Sequence, residues 1–350
     1  MKDPGDPQRI LITRMKFIGD IVLTTPVIRS LRVAFPDAFL AYMGDATAVS
    51  LLQENPFLNQ ISPFDFSRPT YQEQPRVALL LRRLHFDWVI DLFGNPRSAV
   101  LTYLSGARVR VGLERKGRGR LYTHRIRDDG KPKSAVEFHL QFLRALGVAP
   151  ASHRPELFLS ERELRDAGAL VPTDRPLVVL HPGATWPAKR WLPERFAQLA
   201  GDLQSRHGVR VVLTGGPNEE ALLDDVCKRI SPPPGVFRGV PLRQLAALYA
   251  RATAVVSNDA GPMHIAASVG TPTIGLFGPG EEQIWFPYDS GDGHRALRKD
   301  VPCHPCHLDF CNRTGLEYME CMKLLTVDEV TSAVVAAMHS PRDTRNRLIL

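Results

Sequence analysis

The stretch "TAVVSNDAGPMHIAASVGTPTIGLF" (253–277) most constrains the fold. Its first five residues form a short, uninterrupted, β-branched run, the pattern of a strand buried on both faces of a parallel sheet rather than of an edge strand. A helix should follow. Gly261-Pro262 reads as a turn with proline at the first helical position, and the next strand, 272–277, begins after Gly270-Thr271. The helix then starts at the carboxyl edge of the sheet, where unpaired backbone N–H groups and the macrodipole favour an anion. Taken alone, Gly261 and Pro262 read equally well as helix punctuation.

The same alternation runs through the chain, which makes it an α/β protein. In the first half, 9–14, 38–43, 86–92 and 107–112 read as strands, with a helix from about Asp20 to Phe35. In the second, strands at 177–183 and 209–216 alternate with helices at 193–206, 217–230 and 241–251 before the unit described above. At 350 residues and 44% hydrophobic content, two cores can be filled. The expected plan is an N-terminal Rossmann-like domain over 1–155, a linker over 156–171, a second Rossmann-like domain over 172–335 and a tail over 336–350, the two parallel sheets facing across a central cleft. No G-x-G-x-x-G follows the first strand of either half, which disfavours a dinucleotide dehydrogenase. The polar start "MKDPGDPQR" does not read as a signal peptide, and no apolar run approaches the roughly 18 residues that span a bilayer. A cytoplasmic protein is expected.

The formal net charge is +7, and residues 108–133 alone hold ten Lys/Arg, among them Arg115, Lys116, Arg118 and Arg120, against Glu114, Asp128 and Asp129. This segment suggests an anionic partner such as a phosphorylated lipid, a membrane surface or nucleic acid, or else a solvated loop. It lacks the repeated aromatic interleaving that single-stranded nucleic acid wants, so no nucleic-acid partner is expected.

The loops at the strand ends carry the candidate chemistry. Asp20, just after Gly19, is either a helix cap or a general base; a helix N-terminus keeps a carboxylate ionised and weakly basic, which suits late deprotonation of an attacking hydroxyl. The loop "HPGATWPAKRW" (181–191) offers Thr185 and Lys189, and a lysine there can balance phosphate charge. Glu219 and Glu220 either accept from ribose hydroxyls or charge the first turn of a helix favourably. Asp259 would be repelled by a bound diphosphate, so it should pair with a cation such as Lys189 or point past the phosphates to sugar hydroxyls. His264 either donates to a phosphate or is packed. Cys303, Cys306, Cys311 and Cys321, spaced C-x2-C-x4-C-x9-C with His304 and His307 among them, offer ligands for a structural zinc or iron–sulfur cluster, or serve as reduced packing or redox-sensitive thiols. Cys227 reads as core.

Together, "ILITRMKFIGDIVLTTPVIRSLR" (10–32), "HPGATWPAKRWLPERFAQL" (181–199), "VVLTGGPNEE" (211–220) and "VVSNDAGPMHIAASVGTPTIGLFGP" (255–279) resemble glycosyltransferase family 9, the heptosyltransferases of lipopolysaccharide core assembly, over about residues 9–335. The resemblance implies a GT-B fold and inverting transfer of heptose from ADP-heptose to a hydroxyl of the inner core, with no cofactor or metal at the reaction centre. It implies Asp20 as general base, Lys189 and Thr185 on the donor diphosphate, Glu219 or Glu220 on the adenosine ribose, Asp259 facing the donor sugar, and Gly261 and His264 at the phosphate-facing helix start. The acceptor would be a phosphorylated lipid-linked oligosaccharide met by Lys16 and the basic segment, with peripheral contact at the cytoplasmic face of the inner membrane. Two departures stand out. Ala260 replaces a hydroxyl residue common in the family, leaving only its backbone N–H for the donor, and Lys16 replaces a small polar residue, close enough in sequence to influence Asp20 or to bind acceptor phosphate. The alternatives are a GT-B enzyme using a UDP-sugar, whether transferase or epimerase, and a non-catalytic binder of anionic glycolipid.

Overall fold

The structure, a computed structural model, describes residues 5–171 and 174–340. The expected tail lies outside these residues from 341 onward. The chain divides into two compact units between Phe158 and Leu159.

The first unit runs β1 (Arg9–Thr13), α1 (Ile18–Leu23), α2 (Thr25–Ala34), β2 (Phe39–Asp45), β3 (Gln60–Phe64), α3 (Thr70–Arg83), β4 (Trp88–Asp91), α4 (Pro96–Leu104), β5 (Val109–Leu113), β6 (His124–Ile126) and α5 (Ala135–Arg144). Its six strands, all parallel, lie in the order β3-β2-β1-β4-β5-β6. Central strand β1 is apolar on both faces because helices cover both, and Ile10, Leu11 and Ile12 are fully buried. The order reverses direction between β1 and β4, so the carboxyl ends of these two strands form the switch point where α/β sheets hold ligands.

The single helix expected over 20–35 is two helices. Pro26 has no N–H to offer, and the Thr24 and Thr25 hydroxyls turn back to the carbonyls of Ile21 and Val22, which ends α1 and starts α2. Thr24 also shares a hydrogen bond of 2.7 Å with the buried Tyr42 hydroxyl.

The second unit runs α6 (Glu161–Leu170), β7 (Leu177–His181), α7 (Pro193–His207), β8 (Arg210–Gly215), α8 (Glu220–Cys227), β9 (Gly235–Arg238), α9 (Leu242–Arg251), β10 (Ala254–Asn258), α10 (Gly261–Ser268), β11 (Thr273–Leu276), α11 (Glu282–Trp285), β12 (Arg295–Leu297), α12 (Glu320–Lys323) and α13 (Val327–Met338). Its parallel order, β12-β11-β10-β7-β8-β9, switches between β7 and β10. The opening motif is here: β10 pairs with β7 and β11, and Ala254, Val255 and Val256 are wholly buried. Helix α6 falls inside the stretch expected to link the two domains. Ser160 caps it reciprocally with Glu163, and Glu163 then pairs with Arg243 of α9, fastening the helix to the second unit.

Candidate active site

At the switch point of the first unit, β1 runs into Arg14–Phe17 and then α1. Asp20 is the third residue of that helix and accepts from the Phe17 N–H at 3.2 Å, so the cap role is real. Its other oxygen pairs with Arg14. The Arg14 guanidinium also donates to the Leu92 carbonyl at 2.8 Å and lies 5.1 Å over the Phe93 ring, which holds Asp20 in a fixed, mostly covered position. Of the two roles expected for Lys16, influence on Asp20 or binding of acceptor phosphate, the first falls to another residue: the cation on Asp20 is Arg14. Lys16 instead rests over the Phe66 ring at 4.1 Å, as does Arg97 at 5.2 Å, and among the described residues neither has a carboxylate partner. Two cations on one aromatic platform make an anion-attracting rim.

Next to β1, the carboxylate of Asp91 is fully buried and accepts from the Thr13 and Tyr122 hydroxyls at 3.1 and 2.6 Å and from the backbone N–H groups of Phe93 and Gly94. It fixes the strand end behind Arg14. His139 of α5 is buried nearby, and burial together with the charge of Arg14 pushes its imidazole well below the usual range, so it is neutral.

The basic segment splits in two. Glu114 pairs with Arg125 and Arg127, and Asp129 with Lys133, whereas Arg115, Lys116, Arg118 and Arg120 have no carboxylate partner among the described residues. Arg118 and Arg120 lie on a 3-10 turn, Arg118–Leu121, packed on α4.

At the switch point of the second unit, the Lys189 ammonium lies 2.6 Å from Oδ2 of Asp259 and 4.6 Å over the Trp186 ring. The expected pairing of Asp259 with a cation is formed. Asp259 is 5% exposed, and burial pushes its carboxyl above the ordinary value while Lys189 opposes the rise. Asp259 follows β10 directly and Lys189 closes the 3-10 turn Pro187–Lys189; Asn258, missed in the sequence, ties these two segments together. Its side chain accepts from the Trp191 N–H at 3.0 Å and donates to the Pro182 carbonyl at 2.8 Å. Thr185 is exposed at the tip of the same loop.

Helix α10 starts at Gly261, capped by no side chain because Ala260 has none to offer. The packed reading of His264 is the one realised: Nδ1 is 2.8 Å from the Tyr288 hydroxyl, and burial and then Lys189 bring the imidazole down to about 3. It is neutral at physiological pH.

The two glutamates part company. Glu220 is exposed at the start of α8. Glu219 turns inward, accepts from the Gly216 N–H at 2.7 Å and lies 3.5 Å from Nε2 of His181, whose Nδ1 meets the Thr214 hydroxyl at 3.0 Å. Those contacts outweigh desolvation and hold its carboxyl below the usual range. His181 ends β7 and was also missed; only the pairing of β7 with β8 brings it to Glu219.

The zinc or iron–sulfur expectation is not met. Among the described residues no group of three or more His, Cys, Asp or Glu is placed to hold a metal ion. Cys311 accepts from the Met319 N–H, and Cys321 is packed against Gly278, where burial, and after it the neighbouring Cys303, Cys306 and Cys311, push its thiol up to about 11.

Two doubly wound units, each a parallel six-stranded sheet flanked by helices, have the architecture of a GT-B glycosyltransferase. The sequence profile of glycosyltransferase family 9 (heptosyltransferase) matches residues 76–314, and the chain belongs to that family. It is 30% identical over 296 residues to lipopolysaccharide heptosyltransferase 3 of Escherichia coli, covering 79% of this chain and 85% of the relative. Its fold matches the glycosyl transferase family 9 structure from Veillonella parvula with a TM-score of 0.82 at 24% identity, covering 95% and 97% of the two chains. The E. coli ADP-heptose lps heptosyltransferase II matches with a TM-score of 0.80 at 24% identity, covering 94% and 98%. No helix among the described residues is long and apolar enough to cross a membrane.

Proposed function

We propose that the protein transfers a heptose from ADP-heptose to a hydroxyl of the lipopolysaccharide inner core, with inversion and without a metal at the reaction centre. The observation that carries this reading is the Lys189–Asp259 pair beside the uncapped start of α10. A diphosphate placed there meets a lysine and the Gly261 N–H at the positive end of the helix, which stabilise the charge that develops as ADP departs. Asp259 repels that diphosphate and so faces the sugar. Glu219, preset by Gly216 and His181, takes the adenosine ribose in preference to the exposed Glu220, with Thr185 near the phosphates and His264 packed behind the helix start. The relative named for ADP-heptose supports the choice of donor.

In the reaction, the acceptor oxygen attacks the anomeric carbon from the face opposite the diphosphate. The new carbon–oxygen bond forms as the bond to the phosphate oxygen breaks, and ADP leaves with that electron pair. Asp20 takes the hydroxyl proton, its orientation fixed by Arg14 and the Phe17 N–H. Lys16 and Arg97 on Phe66, with Arg115, Lys116, Arg118 and Arg120, meet a phosphorylated, lipid-linked acceptor at the cytoplasmic membrane face.

Calorimetric titration with ADP, UDP and GDP, each with and without EDTA, tests the donor. Selective, EDTA-insensitive ADP binding is expected. A preference for UDP would move the donor to another sugar class, and binding of none would point to a glycolipid binder.

A further inference from the structure

The cysteine-bearing segment that follows β12 reaches the backbone on both sides of the Lys189–Asp259 pair. The backbone N–H of Ala188, in the turn that carries Lys189, donates to the Asp309 carbonyl at 3.0 Å. On the other side, Nε2 of His304 donates to the Gly280 carbonyl at 2.9 Å, and the His307 N–H donates to the Pro279 carbonyl at 3.1 Å. Gly280 lies against the pair itself: a Cβ there would come 2.6 Å from Oδ2 of Asp259 and 3.9 Å from Cε of Lys189. The loop leaving β11 is pressed from beneath as well, since a Cβ on Gly278 would meet Met322 at 2.6 Å and Cys321 at 3.3 Å. Neither the Lys189 turn nor the Gly278–Glu281 loop belongs to a regular element long enough to fix itself.

We infer that the segment from Val301 to Cys311 is a buttress that sets the distance between Lys189 and Asp259 for the donor diphosphate, with His304 as a positioning residue acting through Gly280. Asn258 ties the backbones of the two segments together behind the pair, and the buttress braces the Lys189 turn and the Gly280 loop that lies against Asp259 from the other side. This explains why the segment carries two histidines facing backbone carbonyls or carboxylates of the loop, His304 on Gly280 and His307 beside Glu281 at 3.3 Å. The inference rests on the reading of Lys189 as a diphosphate ligand.

The test compares ADP and adenosine binding in His304→Ala, His304→Gln and Lys189→Met by calorimetry. His304→Ala should weaken ADP about tenfold, the worth of one net hydrogen bond, while adenosine changes less than about twofold. His304→Gln, which keeps a donor for the Gly280 carbonyl, should recover most of the loss. Unchanged ADP affinity, an equal loss for adenosine, or no rescue by glutamine would overturn the buttress. If Lys189→Met leaves ADP affinity intact, the diphosphate reading itself falls, a failure the His304 variants alone would not produce.

Discussion

At the scale of single residues, the energetics concentrate in ion pairs and histidines withdrawn from water. Removing Lys189 leaves Asp259 buried without its cation, so Lys189→Met should cost about 3 kcal/mol. Adding Asp259→Asn should return part of that loss, because the stranded charge is gone. Denaturant unfolding of the two singles and the double would show it as a coupling; strictly additive losses would mean the pair is not an energetic unit. The two variants that lack Lys189 should bind ADP poorly. His264 gives a pH signature. Its folded value of about 3 lies below the ordinary 6.5, so between those limits the unfolded chain holds more protons and stability falls as the solution is acidified. The slope from this one group reaches up to about 1.4 kcal/mol per pH unit, lost progressively below pH 6.5. His139 acts in the same direction, so the measurement is the difference between wild type and His264→Gln, which should flatten the curve across that window. Parallel curves would show that His264 is not the group responsible.

At the scale of elements, the site depends on loops that approach each other closely. Gly183, after β7, leaves no room for a side chain: a Cβ there would run into the Glu219 carboxylate. Gly183→Ala should therefore displace Glu219 and raise the donor KM about tenfold or more, with a smaller effect on kcat at saturating donor, which steady-state kinetics would separate. Equal donor KM would remove Glu219 from the donor site. The contrast between legible and illegible features also lies at this scale. The central strands and their helices could be read because burial on both faces demands continuous apolar runs, as in β1, β7 and β10. Edge strands β3, β6, β9 and β12 escaped because each is short and polar or exposed along part of its length. Lys189 and Asp259 stood out as charges at strand ends. Arg14, Asn258, His181 and Arg97 did not, since each acquires its task from a partner distant in sequence: Leu92, Trp191, Glu219 and Phe66.

At the scale of the whole molecule, the net charge of +7 is distributed rather than uniform, and the structure shows where it is unneutralised. Of the basic segment, Arg125, Arg127 and Lys133 are occupied by Glu114 and Asp129, while Arg115, Lys116, Arg118 and Arg120 have no such partner among the described residues. Exposed charges of this kind stabilise the fold little, so their effect should lie in attraction at a distance, screened over about 8 Å at physiological ionic strength. The expected consequence is a KM for a phosphorylated lipid-linked acceptor that rises steeply with salt, while the KM for the nucleotide donor, held by the buried pair, rises less. Replacing Arg115, Lys116 and Arg120 by glutamine should flatten the acceptor's salt dependence without altering the melting temperature by more than a few degrees. Dephosphorylating the acceptor should flatten it in the wild type, because the same interaction is then lost from the other side. If neither change alters the salt dependence, the four cations serve only solvation, and Lys16 and Arg97 on Phe66 are left to hold the acceptor.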